Sequence, residues 1–313
     1  MFAFLFRRLA AGAVLVVVVA TATFLMLSLT GTDVVRNVLG ETASRSAVAA
    51  KTHELGLDQP LVDRYGHWIG QAVQGDLGSS WFTGDPVNQS LTDTLPVTLS
   101  VVLAGLLVAM VLSVALGTAA ALRGGWVDRG VQFAAVLGTA VPSFLIALVL
   151  AVTLAVRLGW LPATGYVDLG TSGTGWLRSI VLPAVSLAVG ATAATALQVR
   201  GALIDVLRAD FVRTLRSRGL PTRSIVYKHA LRNAAPPALT VLALQFIGLI
   251  SGAVVVEKVF GLPGIGTLAN SAAVRGDAPV LLGTVVVAVV IVVAVNLLLD
   301  IAYGWLNPKV RVS

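Results

Sequence analysis

The chain has 313 residues, of which 57% are hydrophobic and 12% charged, with a mean hydropathy of +0.89 and a formal net charge of +7. Soluble domains carry about 25% charged residues, so the pair of water-soluble domains that the length would suit is excluded. With no cysteine, disulfides, thiolate metal ligands and thiol redox chemistry are excluded as well.

The charges are segregated. Six stretches, 9–32, 94–122, 130–156, 179–199, 233–256 and 278–299, contain none, and all 37 charged residues fall in the remaining 166. Each stretch has the roughly 20 residues that a helix needs to cross a bilayer. A transmembrane β-barrel would instead alternate apolar and polar residues over segments of about 10, whereas Val101 to Leu116 is almost continuously apolar. The pattern predicts an all-α membrane protein with six transmembrane helices.

In chain order, the first stretch follows Arg7-Arg8 and contains Ala20-Thr21-Ala22, a pattern shared with cleaved secretory signals. Its apolar run continues through Phe24-Leu25-Met26-Leu27 to Leu29, too long for a signal core, so residues 1–30 read as a tail and a retained span. Residues 31–93 are polar and hold Trp68 and Trp81, which predicts a small extracytoplasmic subdomain. The core, 94–306, follows, and 307–313 form a tail. The basic turn Arg123 to Arg129 joins antiparallel helices, and Gly159-Trp160-Leu161-Pro162 places a Trp at headgroup level where a Pro ends the helix. Pro142 and Pro183 are expected to bend their helices.

The segment 201–232 carries seven Lys+Arg and two Asp. Leu203, Ile204, Leu207, Phe211, Val212 and Leu215 recur at helical spacing, so the fourth span should continue as an amphipathic helix until Gly219. Pro221 suits the first turn of a new short helix, with Ile225, Val226, His229 and Ala230 on one face, before Pro236-Pro237 opens the fifth span. With the N-terminus placed in the cytoplasm, 14 of the 22 Lys+Arg fall on the cytoplasmic side. The positive-inside rule then puts both termini there and explains the net charge without nucleic acid.

Chemistry of the chain's own is not evident. No Gly is followed by Lys, so a Gly-x-x-x-x-Gly-Lys phosphate cradle is absent. Gly261-Leu262-Pro263-Gly264-Ile265-Gly266 lacks dinucleotide-binding spacing and reads as a turn. His53-Glu54 begins like a zinc-protease helix, but Leu57 stands where the second His belongs. His67 and His229 read as surface residues. No His falls in a span, and Asp300, at the end of the sixth, reads as a helix-end or interhelical hydrogen-bonding group ahead of a proton site. The polar span residues Thr139, Ser143, Ser186, Gln198, Gln245, Ser251 and Asn296 can join helices or line a conduit; Ser143, Gln245 and Asn296 are the candidates for pathway lining.

Taken together, Leu55-Gly56-Leu57-Asp58-Gln59-Pro60, Gly75-Asp76-Leu77-Gly78, Leu95-Pro96-Val97-Thr98-Leu99, Val141-Pro142-Ser143-Phe144, Gly159-Trp160-Leu161-Pro162, Asp210-Phe211-Val212-Arg213-Thr214, Arg218-Gly219-Leu220, His229-Ala230-Leu231-Arg232-Asn233, Val256-Glu257-Lys258-Val259-Phe260, Pro263-Gly264-Ile265-Gly266 and Asn307-Pro308-Lys309-Val310-Arg311 resemble the dipeptide and oligopeptide permease family. These are the membrane-spanning subunits of ABC importers for peptides, nickel and related solutes, and the long segment after the first span is similar to their B-type subunit. Thr30-Gly31-Thr32-Asp33 departs from the family's Pro-Gly-Asp-Pro, and Pro221 stands where a serine-like cap is usual.

The resemblance implies a type I importer fold in the bacterial cytoplasmic (inner) membrane. It implies that Gly219 corresponds to the glycine of the EAA-type motif, with Arg213-Thr214-Leu215 in place of Glu-Ala-Ala. Residues 220–230 would be a coupling helix, so that Arg213, Thr214, Gly219, Leu220, Pro221, Ile225, Val226 and His229 transmit force from an ATPase. Implied partners are a second permease, two ABC ATPase subunits that use ATP and Mg, an extracytoplasmic solute-binding protein and membrane lipids. No cofactor is implied in this chain, and the permease would not be an enzyme. Rivals are the same architecture importing nickel, glutathione or haem, or a self-sufficient secondary transporter or channel, which would show internal repeats. A membrane anchor would leave the 201–232 segment unexplained.

Overall fold

The computed structural model describes residues 2–29 and 34–306, and the side chains of 6–28, 34–299 and Ile301. Thr30 to Asp33, the Asp300 side chain and the 307–313 tail, on each of which a sequence expectation falls, lie outside the described residues. Thirteen helices follow among the described residues: α1 Phe2–Leu29, α2 Val34–Leu39, α3 Arg45–Glu54, α4 Leu61–Val73, α5 Val87–Arg123, α6 Gly125–Ala140, α7 Ser143–Leu150, α8 Gly173–Arg208, α9 Asp210–Ser217, α10 Thr222–Ser224, α11 Leu231–Val259, α12 Ile265–Arg275 and α13 Ala278–Leu306. Two π-helical stretches, Ala151–Arg157 and Ile225–Ala230, extend α7 and join α10 to α11. Five helical segments, Phe6–Ser28, Val87–Arg123, Gly173–Arg208, Thr222–Val259 and Ala278–Leu299, are long and apolar enough to cross a membrane.

The third predicted span differs. It is a bent pair, Gly125–Ala140 and Ser143–Arg157, meeting at 97°. Pro142 causes the break: it has no N–H for the helical ladder, and Val141 before it is pushed to extended backbone, φ −86° and ψ 120°. Pro183, by contrast, stands inside α8 and Pro96 inside α5 without ending either helix. Among the described residues the count is therefore five unbroken candidate spans, or six with the bent pair taken as one.

The described chain divides into two compact units. In the unit comprising 99–262 and 294 onward, α8 is the hub. Ala184, Ala188, Ala191, Ala193 and Ala196 are all buried, because small side chains let neighbouring backbones approach closely. A Cβ on Gly117 of α5 would come within 2.7 Å of the Ala196 carbonyl oxygen and 2.8 Å of Val199, so glycine is required at that crossing. A bidentate ion pair between Arg200 of α8 and Asp128 of α6 ties the basic turn to the hub.

The other unit comprises 2–98 and 263–293, and in it residues 34–93 are grouped with the first span and the α12–α13 corner. Its apolar core is Val87, Leu91, Ala272 and Val280. Phe24 of α1 meets Tyr65 and Trp68 of α4, with centroids 5.1 and 6.5 Å apart. The Tyr65 hydroxyl is 2.5 Å from Thr21 Oγ1. Asp277, 5% exposed, accepts hydrogen bonds from Ser80 Oγ at 2.5 Å and the Trp81 N–H at 3.2 Å. This clamps the 75–86 loop to the start of α13. Thr98 Oγ1 accepts from the Ile265 N–H at 2.8 Å and so satisfies one of the free donors at the start of α12.

Candidate functional site

The 201–232 segment folds as a compact knob. The amphipathic continuation of the fourth span is interrupted: α8 ends at Arg208, and Ala209, at φ −66° and ψ 150°, turns the chain into a separate helix, α9. Asp210 begins α9 with a carboxylate, where the helix dipole favours negative charge, and its side chain lies 3.4 Å from Arg213. Within the amphipathic face, Leu203 and Val212 are fully buried.

Gly219 ends α9 as the sequence predicts. Its φ is +80°, the Leu220 N–H bonds the Leu215 carbonyl, and the Gly219 N–H bonds the Arg216 carbonyl. This double closure satisfies two terminal carbonyls and needs a left-handed residue, for which glycine lacks the Cβ penalty. Pro221, φ −66° and ψ 143°, then stands as the residue preceding Thr222, the first of α10. Its fixed φ and missing N–H suit a helix start, one residue outside the predicted position.

The next helix is not the separate short element that the sequence suggests. Thr222 to Val259 runs as one 38-residue helical segment, and Pro236-Pro237 lies inside α11. The π-helical stretch at 225–230 precedes the prolines.

Ile225 and Val226 are each 1% exposed and Ala230 is fully buried, with Ala230 and Ala234 packed on Leu203. His229 is half-buried beside them. The predicted face therefore exists, but it points into the chain: Ile225 and Val226 seat the knob. The surface offered outward consists of Pro221, Thr222, Arg223, Tyr227 and Lys228, with Arg213 and Arg216 exposed on α9 and Arg218 exposed just after it. Tyr227 is 61% exposed. Sequence periodicity missed Tyr227 as an outward residue, although its place two beyond Ile225 on a helix was a signal that the two face apart. The result is an aromatic side chain among cations, suited to a partner cleft lined by carboxylates and apolar groups.

Of the pathway candidates, Ser143 opens α7 immediately after the Pro142 break, and its Oγ lies 3.5 Å from where a Cβ on Gly252 of α11 would stand. Gln245 on α11 and Asn296 on α13 are half-buried. No hydrogen bond joins the three among the described residues. Three polar groups that sequence reasoning passed over, Thr118, Thr192 and Thr195, have buried hydroxyl oxygens without a partner among the described residues. A Thr within an alanine-rich run gives no signal of this kind, because a helical hydroxyl ordinarily bonds the preceding turn.

Residues 113–312 match the model of the family described as binding-protein-dependent transport system inner membrane component. Residues 1–102 match the model for the N-terminal part of the membrane component of such systems. This chain belongs to that family. It is 39% identical over 312 residues, 99% of each chain, to a protein of Brucella abortus that bears the name of a peptide transport system permease protein. It is 35% identical over 309 residues, 98% of this chain and 99% of the other, to a Sinorhizobium fredii protein named as a peptide ABC transporter permease. A glutathione transport system permease protein of Salmonella typhimurium is 33% identical over 295 residues, 94% of each chain. The protein is thus the transmembrane permease subunit of an ABC importer, a multi-pass inner-membrane component that works with ATPase and binding-protein partners.

Proposed function

We propose that the chain forms half of a translocation pathway for di- and oligopeptides, paired with a second homologous permease, and that the 213–230 knob receives the force of ATP binding from one of two ATPase subunits. Both termini and the knob lie in the cytoplasm, and the 31–93 segment faces the binding protein outside. The chain holds no ATPase site or cofactor of its own; ATP and Mg are used by the partner subunits. The observation that carries this reading is the knob's construction: Ile225, Val226 and Ala230 root it in the α8–α11 packing while Arg223, Tyr227 and Lys228 are left outside. A push on its outer surface reaches α11 directly, because 222–259 is one helical segment. ATP can drive the pathway open only if the ATPases bind the outward-open arrangement better.

Peptide is supported by the names of the Brucella and Sinorhizobium relatives, and glutathione, itself a tripeptide, by that of the Salmonella one. The test is the complex reconstituted with its binding protein. Gly219→Arg forces a side chain into the left-handed region at about 1–2 kcal/mol and should abolish peptide-stimulated ATP hydrolysis while membrane insertion is retained. Arg223→Glu should do the same from the surface. Unchanged stimulated hydrolysis in both variants refutes the coupling assignment.

A further inference from the structure

A cavity of about 770 Å³ lies within the unit formed by 2–98 and 263–293. Its walls include Phe24 at the end of the first span, Arg64 and Trp68 on α4, and Trp81 in the clamped loop. That volume falls within the roughly 300–1,000 Å³ typical of small-ligand sites. The polar groups of this wall are incompletely used. Trp68 Nε1 is buried and has no acceptor among the described residues, a loss ordinarily avoided because an orphaned buried donor is costly. Arg64 lies over the Phe24 ring, 5.9 Å from its centroid, and forms no hydrogen bond or ion pair with any described side chain. Burial pushes its guanidinium below the usual range, as expected of a cation removed from water without a counter-charge.

Arg64 and Trp68 are four residues apart on one helix, so the two donors share a face. Among the described residues the Arg64 guanidinium lacks a counter-anion and the Trp68 indole an acceptor, and one oxygen anion would serve both. The lining also includes the carboxylates Glu54 and Asp63, Glu54 being 65% exposed and paired with Lys51 at 2.7 Å and Asp63 standing beside Arg64 on α4. An acceptor-seeking cation and indole, aromatic walls and carboxylates together fit a zwitterion with an apolar body.

We infer that this cavity binds a short peptide by its C-terminal carboxylate, which Arg64 and Trp68 Nε1–H hold against the Phe24 and Trp81 rings while Glu54 and Asp63 face its ammonium end. The inference rests on the peptide reading and deepens it: the permease itself holds solute, apart from the binding protein. Two aromatic faces favour peptides with apolar side chains, and the cavity size limits them to a few residues.

The test uses the intact importer complex in phosphatidylcholine nanodiscs, without binding protein or nucleotide. Trialanine and trialanine amide are titrated by calorimetry, with tryptophan fluorescence as a second readout, since two of the six tryptophans line the cavity. Trialanine should bind at least tenfold more tightly than the amide, which lacks the anionic end. Arg64→Gln should erase that preference, and Trp68→Phe, which keeps a ring and removes the donor, should weaken it. Absence of wild-type binding overturns the inference, as does equal affinity for acid and amide, a comparison that needs no variant. A preference that survives both substitutions places the peptide elsewhere and also overturns it. So does an indole signal that responds to added phosphatidylglycerol and not to trialanine, since the occupant is then a lipid phosphate. Peptide-stimulated ATP hydrolysis with the binding protein present, measured on the same complex, reports on the importer reading separately. If it persists where trialanine binding is absent, only the cavity assignment falls.

Discussion

Two charged pairs outside the knob show how differently the same chemistry acts at two positions. His53 Nδ1 lies 2.8 Å from Asp58 Oδ2 in a largely exposed setting, the two side chains being 82% and 47% accessible. The hydrogen bond from His53 holds the Asp58 carboxyl below its ordinary 3.8. Because the folded value is the lower one, the pair's contribution is present above the unfolded pKa and is lost as pH falls through the folded one. Thermal unfolding of the wild type and Asp58→Asn should therefore differ at pH 5, and the difference should close below pH 3.8. Solvent screening keeps it small. Arg200 and Asp128 are less exposed, at 25% and 17%, and they join two helices far apart in sequence. Arg200→Gln or Asp128→Asn leaves one charge without its partner, so each should lower both the unfolding temperature and peptide-stimulated ATP hydrolysis. The exchange Asp128→Arg with Arg200→Asp should recover part of each loss. If the double variant is as poor as the singles, the pair has no coupling of its own.

At the scale of elements, helix positions were legible because membrane cost forces charge out of spans, and each of the five unbroken spans overlaps one charge-free stretch. What composition does not encode is where a span bends or merges. Pro142 breaks its helix whereas Pro183, Pro236 and Pro237 do not, since a proline's effect depends on which neighbours satisfy the freed carbonyls. The Gly219 stop was legible because a left-handed closure has a local residue requirement. The inward direction of Ile225 was not, since a helix face reveals that it is apolar and not which protein covers it. Close crossing of α5 and α8 is equally invisible to pattern. Gly117 sits in an apolar run like any other small residue, yet its missing side chain is what admits the Ala196 carbonyl. Gly117→Val should destabilise the permease by about 1–3 kcal/mol, the usual range for overpacking, whereas Gly201→Ala, with open space at its Cβ position, should be neutral or slightly stabilising through helix propensity. Denaturation in detergent of the two variants beside the wild type measures this; equal stability of all three would mean that α5 and α8 are free to separate.

For the whole molecule, the segregation of charge and the arrangement of the knob lead to one energetic requirement. The spans carry few polar groups, and the cationic residues of 213–228 are exposed, which on the proposed reading makes this surface the place where work is received. A secondary transporter would take its energy from ions crossing the membrane and would need sites for them near the midplane; the half-buried Ser143, Gln245 and Asn296 are uncharged. The purified chain in proteoliposomes should therefore show neither ATP hydrolysis nor peptide accumulation under a proton or sodium gradient. Adding the second permease, the ATPases and the binding protein should restore both together, and Arg223→Glu in this chain should uncouple them from peptide without dissolving the assembly. Gradient-driven uptake by the chain alone would overturn the borrowed-energy mechanism. Stimulated hydrolysis at the wild-type rate in the Arg223→Glu complex would leave the importer in place but move the point of force transfer off this surface.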